Sequence, residues 1–155
     1  MRKLSFPMPI KLLSLISVLV ILAGVSTGCS GKVDQNSPRS DLKMAPMTEM
    51  PSTVQSAPAS VQQAYQFAAA NPDVMQHIPC YCGCGSMGHP SNYACYVAGQ
   101  NADGTLKYDT HALGCSICVD ITQDVMRLLR RGETVQDIRS YIDQTYSKYG
   151  PSNMP

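Results

Sequence analysis

Pro79-Cys80-Tyr81-Cys82-Gly83-Cys84 places three thiols at alternate positions, and the rest of the chain is organised around them. In extended backbone alternate side chains face one side, so these sulfurs are expected to converge. Gly83 and Gly85 permit the tight curvature needed to bring neighbouring sulfurs onto one ion. A disulfide between residues i and i+2 fits poorly with the required Cα separation and dihedral. If oxidised, each of the three must reach elsewhere, to Cys95, Cys115 or Cys118. A three-bridge disulfide framework is therefore the structural alternative to a metal site.

Downstream lie His89, Cys95, His111 and Cys115-x-x-Cys118. The apolar period Ile121, Val125, Leu128, Leu129 continues from Cys118 and predicts a helix starting near Ser116. Such a helix carries Cys118 on its buried face and sets Cys115 at its N-terminus, where thiolate is favoured. A C-x-C with a distant C-x-x-C and spare ligands is a metal-binding signal. The metal set is Cys80, Cys82, Cys84, Cys95, Cys115, Cys118, His89 and His111. Gly88-His89-Pro90 is loop, where packing gives a histidine little to do, so His89 is a ligand or a support for one. His111, with Asp109 nearby, is either a ligand or a cap for the following helix. Zinc asks for four ligands in a closed tetrahedron. Cu(I) accepts two or three thiolates and is favoured by soft sulfur, so Cu(I) ranks first and Zn(II) next.

The 155 residues allow one domain at most, and with aromatics at 6% and no tryptophan its core must be small. Small cores need a staple of disulfides or metal, and seven cysteines point the same way. Without residues 1–28 the chain keeps nine basic and eleven acidic residues, net −2. No basic patch with interleaved aromatics occurs, which argues against a nucleic-acid partner.

Arg2, Lys3 and Lys11 precede an uncharged run of 14 residues, Leu12 to Val25, then Ser26-Thr27-Gly28-Cys29. Charged start, short apolar stretch and small residues describe an export signal, and the run falls short of the ~20 residues of a spanning helix. Gly28-Cys29-Ser30 resembles the lipobox of bacterial lipoproteins, in which the cysteine is lipidated. The implied organisation is a signal peptide over 1–28, a flexible tether over 29–58 and a cysteine-rich domain over 59–155. Through lipidated Cys29 the protein would sit on the cell membrane, facing the extracytoplasmic side. Within the tether, Met44-Ala45-Pro46-Met47-Thr48-Glu49-Met50 spaces three thioethers at intervals that could wrap a Cu(I) ion; a chance cluster of a tolerated filler residue is the alternative.

The expected fold is mainly α with a small β-hairpin, closed by a helical hairpin. Ser60-Val61-Gln62-Gln63 fits a capping box, with Val61, Ala64, Tyr65 and Ala68 on one helix face. Asn71-Pro72 restarts a short helical turn that Pro79 ends, with His77 exposed. Tyr93 to Val97 alternates, Asn101-Ala102-Asp103-Gly104 is a turn and Thr105 to Tyr108 returns, a hairpin that would carry Cys95 toward the cluster. Arg130-Arg131-Gly132 stops one C-terminal helix and Thr134 caps the next, whose inner stripe is Val135, Ile138, Ile142 and Tyr149.

The run Pro79 to Cys84, followed by Gly88-His89, Cys95, His111 and Cys115-x-x-Cys118, is similar to the bacterial family named for its PCYCGC motif, over about residues 71–150. Members resemble exported lipoproteins, and the resemblance implies no settled activity. Residues 113–150 also resemble the thiol subunit of the cytochrome c maturation machinery, which carries Leu-Arg-Cys-x-x-Cys-Gln and closes on Tyr-Gly, like Tyr149-Gly150. Here Gly114 and Val119 stand where Arg and Gln are expected.

The primary reading is a membrane-tethered lipoprotein that binds a soft metal for capture, delivery or structure, with a metal donor or acceptor protein as partner. The enzymatic alternative is thiol–disulfide exchange, in which Cys115 attacks and Cys118 resolves. It leaves Cys80, Cys82 and Cys84 without a task. The third reading is a disulfide-stapled envelope protein.

Overall fold

A computed structural model describes residues 41–155; the expected export signal, Cys29 and the first part of the expected tether lie outside the described residues. The fold is mostly helical. Helices α1 (Ser52–Gln55), α2 (Ala59–Ala70) and α3 (Pro72–Met75) precede the thiol loop. A two-stranded antiparallel hairpin follows, β1 (Val97–Gln100) and β2 (Leu106–Tyr108), and then α4 (Ser116–Arg130) and α5 (Val135–Tyr146). Among the described residues no helix is long and apolar enough to cross a membrane.

The core forms where α2 crosses α4 and α4 turns back into α5. Tyr65 and Phe67 of α2, Ile121 and Val125 of α4, and Ile138 and Ile142 of α5 are wholly buried there. Tyr65 stacks edge-on against Tyr96 with centroids 4.9 Å apart and donates its hydroxyl to the Asp109 carbonyl at 2.8 Å. Those contacts pin the hairpin's base to α2. The sequence signals of the C-terminal pair hold: Gly132, at φ +84°, ends α4, and the Thr134 hydroxyl accepts the Asp137 amide at 3.2 Å. Its stripe keeps Val135, Ile138 and Ile142 and differs only at its last member. Tyr146, hydrogen-bonded to Asp124, fills the place expected for Tyr149, which is 55% exposed because α5 ends before it.

Four local expectations change. Helix α2 starts at Ala59 with Pro58 as its cap, so Ser60 lies inside the first turn and no capping box forms. Proline supplies the boundary instead, and Gln62 turns back to donate to the Gln55 and Ala57 carbonyls at 2.8 Å. Cys95 sits outside the hairpin, in a single 3₁₀ turn over Tyr93–Cys95 that precedes β1. The positive-φ residues of the thiol loop are Gly83 and Gly88, on either side of a 3₁₀ turn over Cys84–Met87, whereas Gly85 is not one of them.

The fourth change concerns the tether. Residues 43–57 are docked on α2: Ala45 exchanges backbone and side-chain hydrogen bonds with Gln66, and Asn71 donates to the Lys43 carbonyl at 2.9 Å. Met50 and Val54 are buried in the main core at 3% and 1% exposure. Apolar residues spaced through a polar segment gain more from burial than they lose in chain entropy when glutamine side chains satisfy the incoming backbone. Met50 is thus a core residue and is withdrawn from any flexible three-methionine site. Met50→Ala should lower unfolding free energy by roughly 2–5 kcal/mol in a urea titration, while Met44→Ala leaves it unchanged. Equal behaviour of the two variants would restore the tether.

Candidate metal centre

All six cysteines of the described residues are free. Their sulfurs form one connected group. Cys118 Sγ lies 3.3 Å from Cys115, 3.4 Å from Cys80 and 3.6 Å from Cys82. Cys80 is 3.4 Å from Cys82, and Cys84 is 3.6 Å from Cys95. His111 Nε2 joins at 3.4 Å from Cys82. Each of the eight sequence-predicted metal ligands is therefore at the cluster.

Helix α4 supplies the rigid half. Cys115 is its N-cap and Cys118 is wholly buried in its first turn, as the apolar period requires. Three side chains hold that turn. The Cys118 carbonyl accepts from Tyr96 at 2.8 Å, from Thr122 at 3.1 Å and from Asn92 at 3.4 Å. These groups are buried, so removing one strands polar partners without water. None was visible as a site residue in sequence, because their role depends on a carbonyl far along the chain.

The loop half is shaped by backbone and by the C-terminal tail. Cys80, Cys82 and Cys84 converge as expected, the left-handed turn at Gly83 and the 3₁₀ turn after it setting the position of Cys84. Asn153 then closes over the motif. Its Oδ1 accepts the Cys80 amide at 2.7 Å, its own amide donates to the Cys80 carbonyl at 3.1 Å, and its Nδ2 donates to the His89 carbonyl at 2.9 Å. That Nδ2 also lies 3.6 Å from Cys84 Sγ. Gly150 lets the tail approach: a Cβ there would lie 2.9 Å from the Tyr81 carbonyl oxygen.

The histidines stand edge to face, ring centroids 5.2 Å apart. Asp109 positions both. Its Oδ1 accepts the His111 amide at 2.7 Å and its Oδ2 lies 3.6 Å from His89 Nε2. His111 therefore faces Cys82 rather than capping α4. His89 Nδ1 is buried without a hydrogen-bond partner, the state of an imidazole nitrogen kept for an ion. His89 and Asp109 also line a cavity of about 620 Å³ with Tyr93 and Met154. His77, expected to be outside the site, is exposed.

The sulfurs do not ionise independently. Contacts with Cys118 and Cys95 pull the Cys80 thiol far below its ordinary range despite burial. Contacts with Cys80 and Cys95, then burial, push Cys118 up. Burial, followed by the charge on Cys80, raises Cys82 and Cys84. The neighbours of Cys80 thus favour its thiolate, and that charge together with burial disfavours ionisation of Cys82 and Cys84.

Ligand atoms of Cys82, His111, Cys115 and Cys118 all lie within 4.8 Å of one another, as do those of Cys84, His89, Cys95 and His111. Mutual spacing of that order suits atoms sharing an ion at bond lengths of about 2.0–2.3 Å. The cluster can hold a metal ion. Asn153→Ala should cost roughly 1–3 kcal/mol of stability by stranding the Cys80 amide, and should speed alkylation of Cys84 relative to Cys118. Unchanged stability and alkylation order would show that the tail does not hold the loop.

No curated protein and no solved structure matches the chain. The model of one family, described as "Protein of unknown function with PCYCGC motif", matches residues 14–155, which include the loop thiols, both histidines, the α4 pair and Asn153. The chain belongs to the PCYCGC-motif family.

Proposed function

We propose that this protein is a lipid-anchored extracytoplasmic metal binder, tethered through Cys29, that captures Cu(I) and passes it to an acceptor protein, with Zn(II) as the next candidate. The observation that carries the reading is the joining of six sulfurs and two imidazoles in one largely buried group. Sulfur in excess of one tetrahedral site favours a soft monovalent ion. The methionine run contributes less than its spacing implied, since Met50 belongs to the core. The charged start, apolar run and Gly28-Cys29 support export and lipidation.

Thiol–disulfide exchange is the competing account, favoured by the 3.3 Å Cys115–Cys118 contact at a helix start and by the half-buried position of Cys115. It accords with the likeness to the cytochrome c maturation thiol subunit. It makes no use of the four other thiols or of His89 Nδ1.

Full-length protein purified without oxygen should carry stoichiometric copper, with its cysteines recovered as thiols once metal is removed. Blocked thiols and no metal would leave the disulfide framework standing. Asp109→Asn should weaken metal affinity roughly 10–100-fold, because it frees the His89 ring. Cys115→Ser should leave turnover of a model disulfide at background; a turnover that this substitution abolishes would make the protein an exchanger. The intact mass of membrane-extracted protein should show an acylated Cys29, and an unmodified Cys29 removes the anchor.

A further inference from the structure

We propose that the cluster is a two-ion centre in which Cys80 bridges an ion held by Cys82, Cys115 and Cys118 to an ion held by Cys84, Cys95 and His89, with His111 at the Cys82 sulfur. This deepens the metal-binding reading and rests on it. Eight donors exceed what one ion takes, since a closed tetrahedral site uses four. The donors form two mutually close quartets, of which His111 is the only common member, while Cys82–Cys84 and Cys95–Cys118 also lie within 4.8 Å of each other across them. His111 Nε2 lies 3.4 Å from Cys82 and supports that sulfur at the first ion, while His89 brings its unpartnered Nδ1 to the second set.

Cys80 belongs to neither quartet and touches both. Its sulfur lies 3.4 Å from Cys82 and from Cys118, members of the first. It also lies within 4.8 Å of Cys84 and of Cys95, members of the second. A thiolate sulfur has lone pairs enough for two soft ions, and one placed between two ligand sets is positioned to use them. Charge favours the same outcome. No lysine or arginine is buried among the described residues, so positive charge to offset several thiolates must come from the ions themselves. As each ion enters, each of its ligands that still carries a thiol proton releases it to solvent.

Cadmium-113 tests this, because it occupies thiolate sites and reports each by its own resonance. Reduced full-length protein in detergent, titrated anaerobically with ¹¹³Cd(II), should saturate at two ions per chain and give two resonances split by coupling through the shared sulfur. Cys80→Ser should keep both resonances and remove the splitting. The double variant Cys84→Ser, Cys95→Ser should keep one resonance, at the position of the first site. Saturation at a single ion, with surplus thiols still open to alkylation, overturns the two-ion centre and leaves metal binding intact. Two resonances without splitting in the unmodified protein overturn the bridge, and more than two ions overturn the stated division of ligands. No bound cadmium would remove the metal-binding reading itself.

Discussion

Mutual repulsion among thiolates that share a buried volume is the constraint around which this fold is arranged. Sulfurs 3.3–3.6 Å apart can share protons when neutral, but each added negative charge raises the cost of the next. Cys80 takes the first charge because Cys118 and Cys95 donate to it. Burial, followed by the field of Cys80, holds Cys82 and Cys84 above the usual thiol range. Left alone, such a cluster gains only weak thiol hydrogen bonds for the loss of hydration. The surrounding protein must hold it together by other means.

Two kinds of support do this. On the helical side, α4 buries Ile121 and Val125 against α2 and α5, so the first turn bearing Cys118 inherits the rigidity of the core. Tyr96, Asn92 and Thr122 then fix the Cys118 carbonyl, which orients the helix start without touching any sulfur. On the loop side there is no apolar stripe to lean on. Support comes from Asn153, whose amide and side chain bond both polar groups of the Cys80 backbone and reach the His89 carbonyl. A segment three residues beyond Gly150 thereby becomes part of a site that begins at Cys80.

The sequence was most legible where chemistry and period coincide. Ile121, Val125, Leu128 and Leu129 mark α4, and continuing that period back to Cys118 places the buried thiol correctly. The alternation of Cys80, Cys82 and Cys84 predicts their convergence, and Gly83 supplies the left-handed turn that sets Cys84. Other features depend on partners distant in sequence. Nothing local marks Asn153 as a clamp, because its significance lies in the Cys80 amide it meets only after folding. Composition misled over residues 43–57 for a related reason: Pro, Ser and Gln describe a linker until Gln62, Gln66 and Asn71 supply hydrogen bonds to its carbonyls. Tyr149 lost its place to Tyr146 through the earlier end of α5, one turn being within the tolerance of any period.

Burial of Met50 bears on the choice of metal as well as on the fold. A flexible methionine arm would collect Cu(I) at a distance and hand it inward; with Met50 seated in the core, residues 44–50 cannot close around an ion without giving up apolar contact. Selection must then occur at the cluster itself. The face through which it communicates with solvent is uneven. Cys82 and Cys115 are half-buried, Cys84 and Cys95 are buried, and His89 lines the cavity beside Met154. A ligand approaching from solvent would therefore meet Cys82 and Cys115 before the wholly buried Cys84 and Cys95.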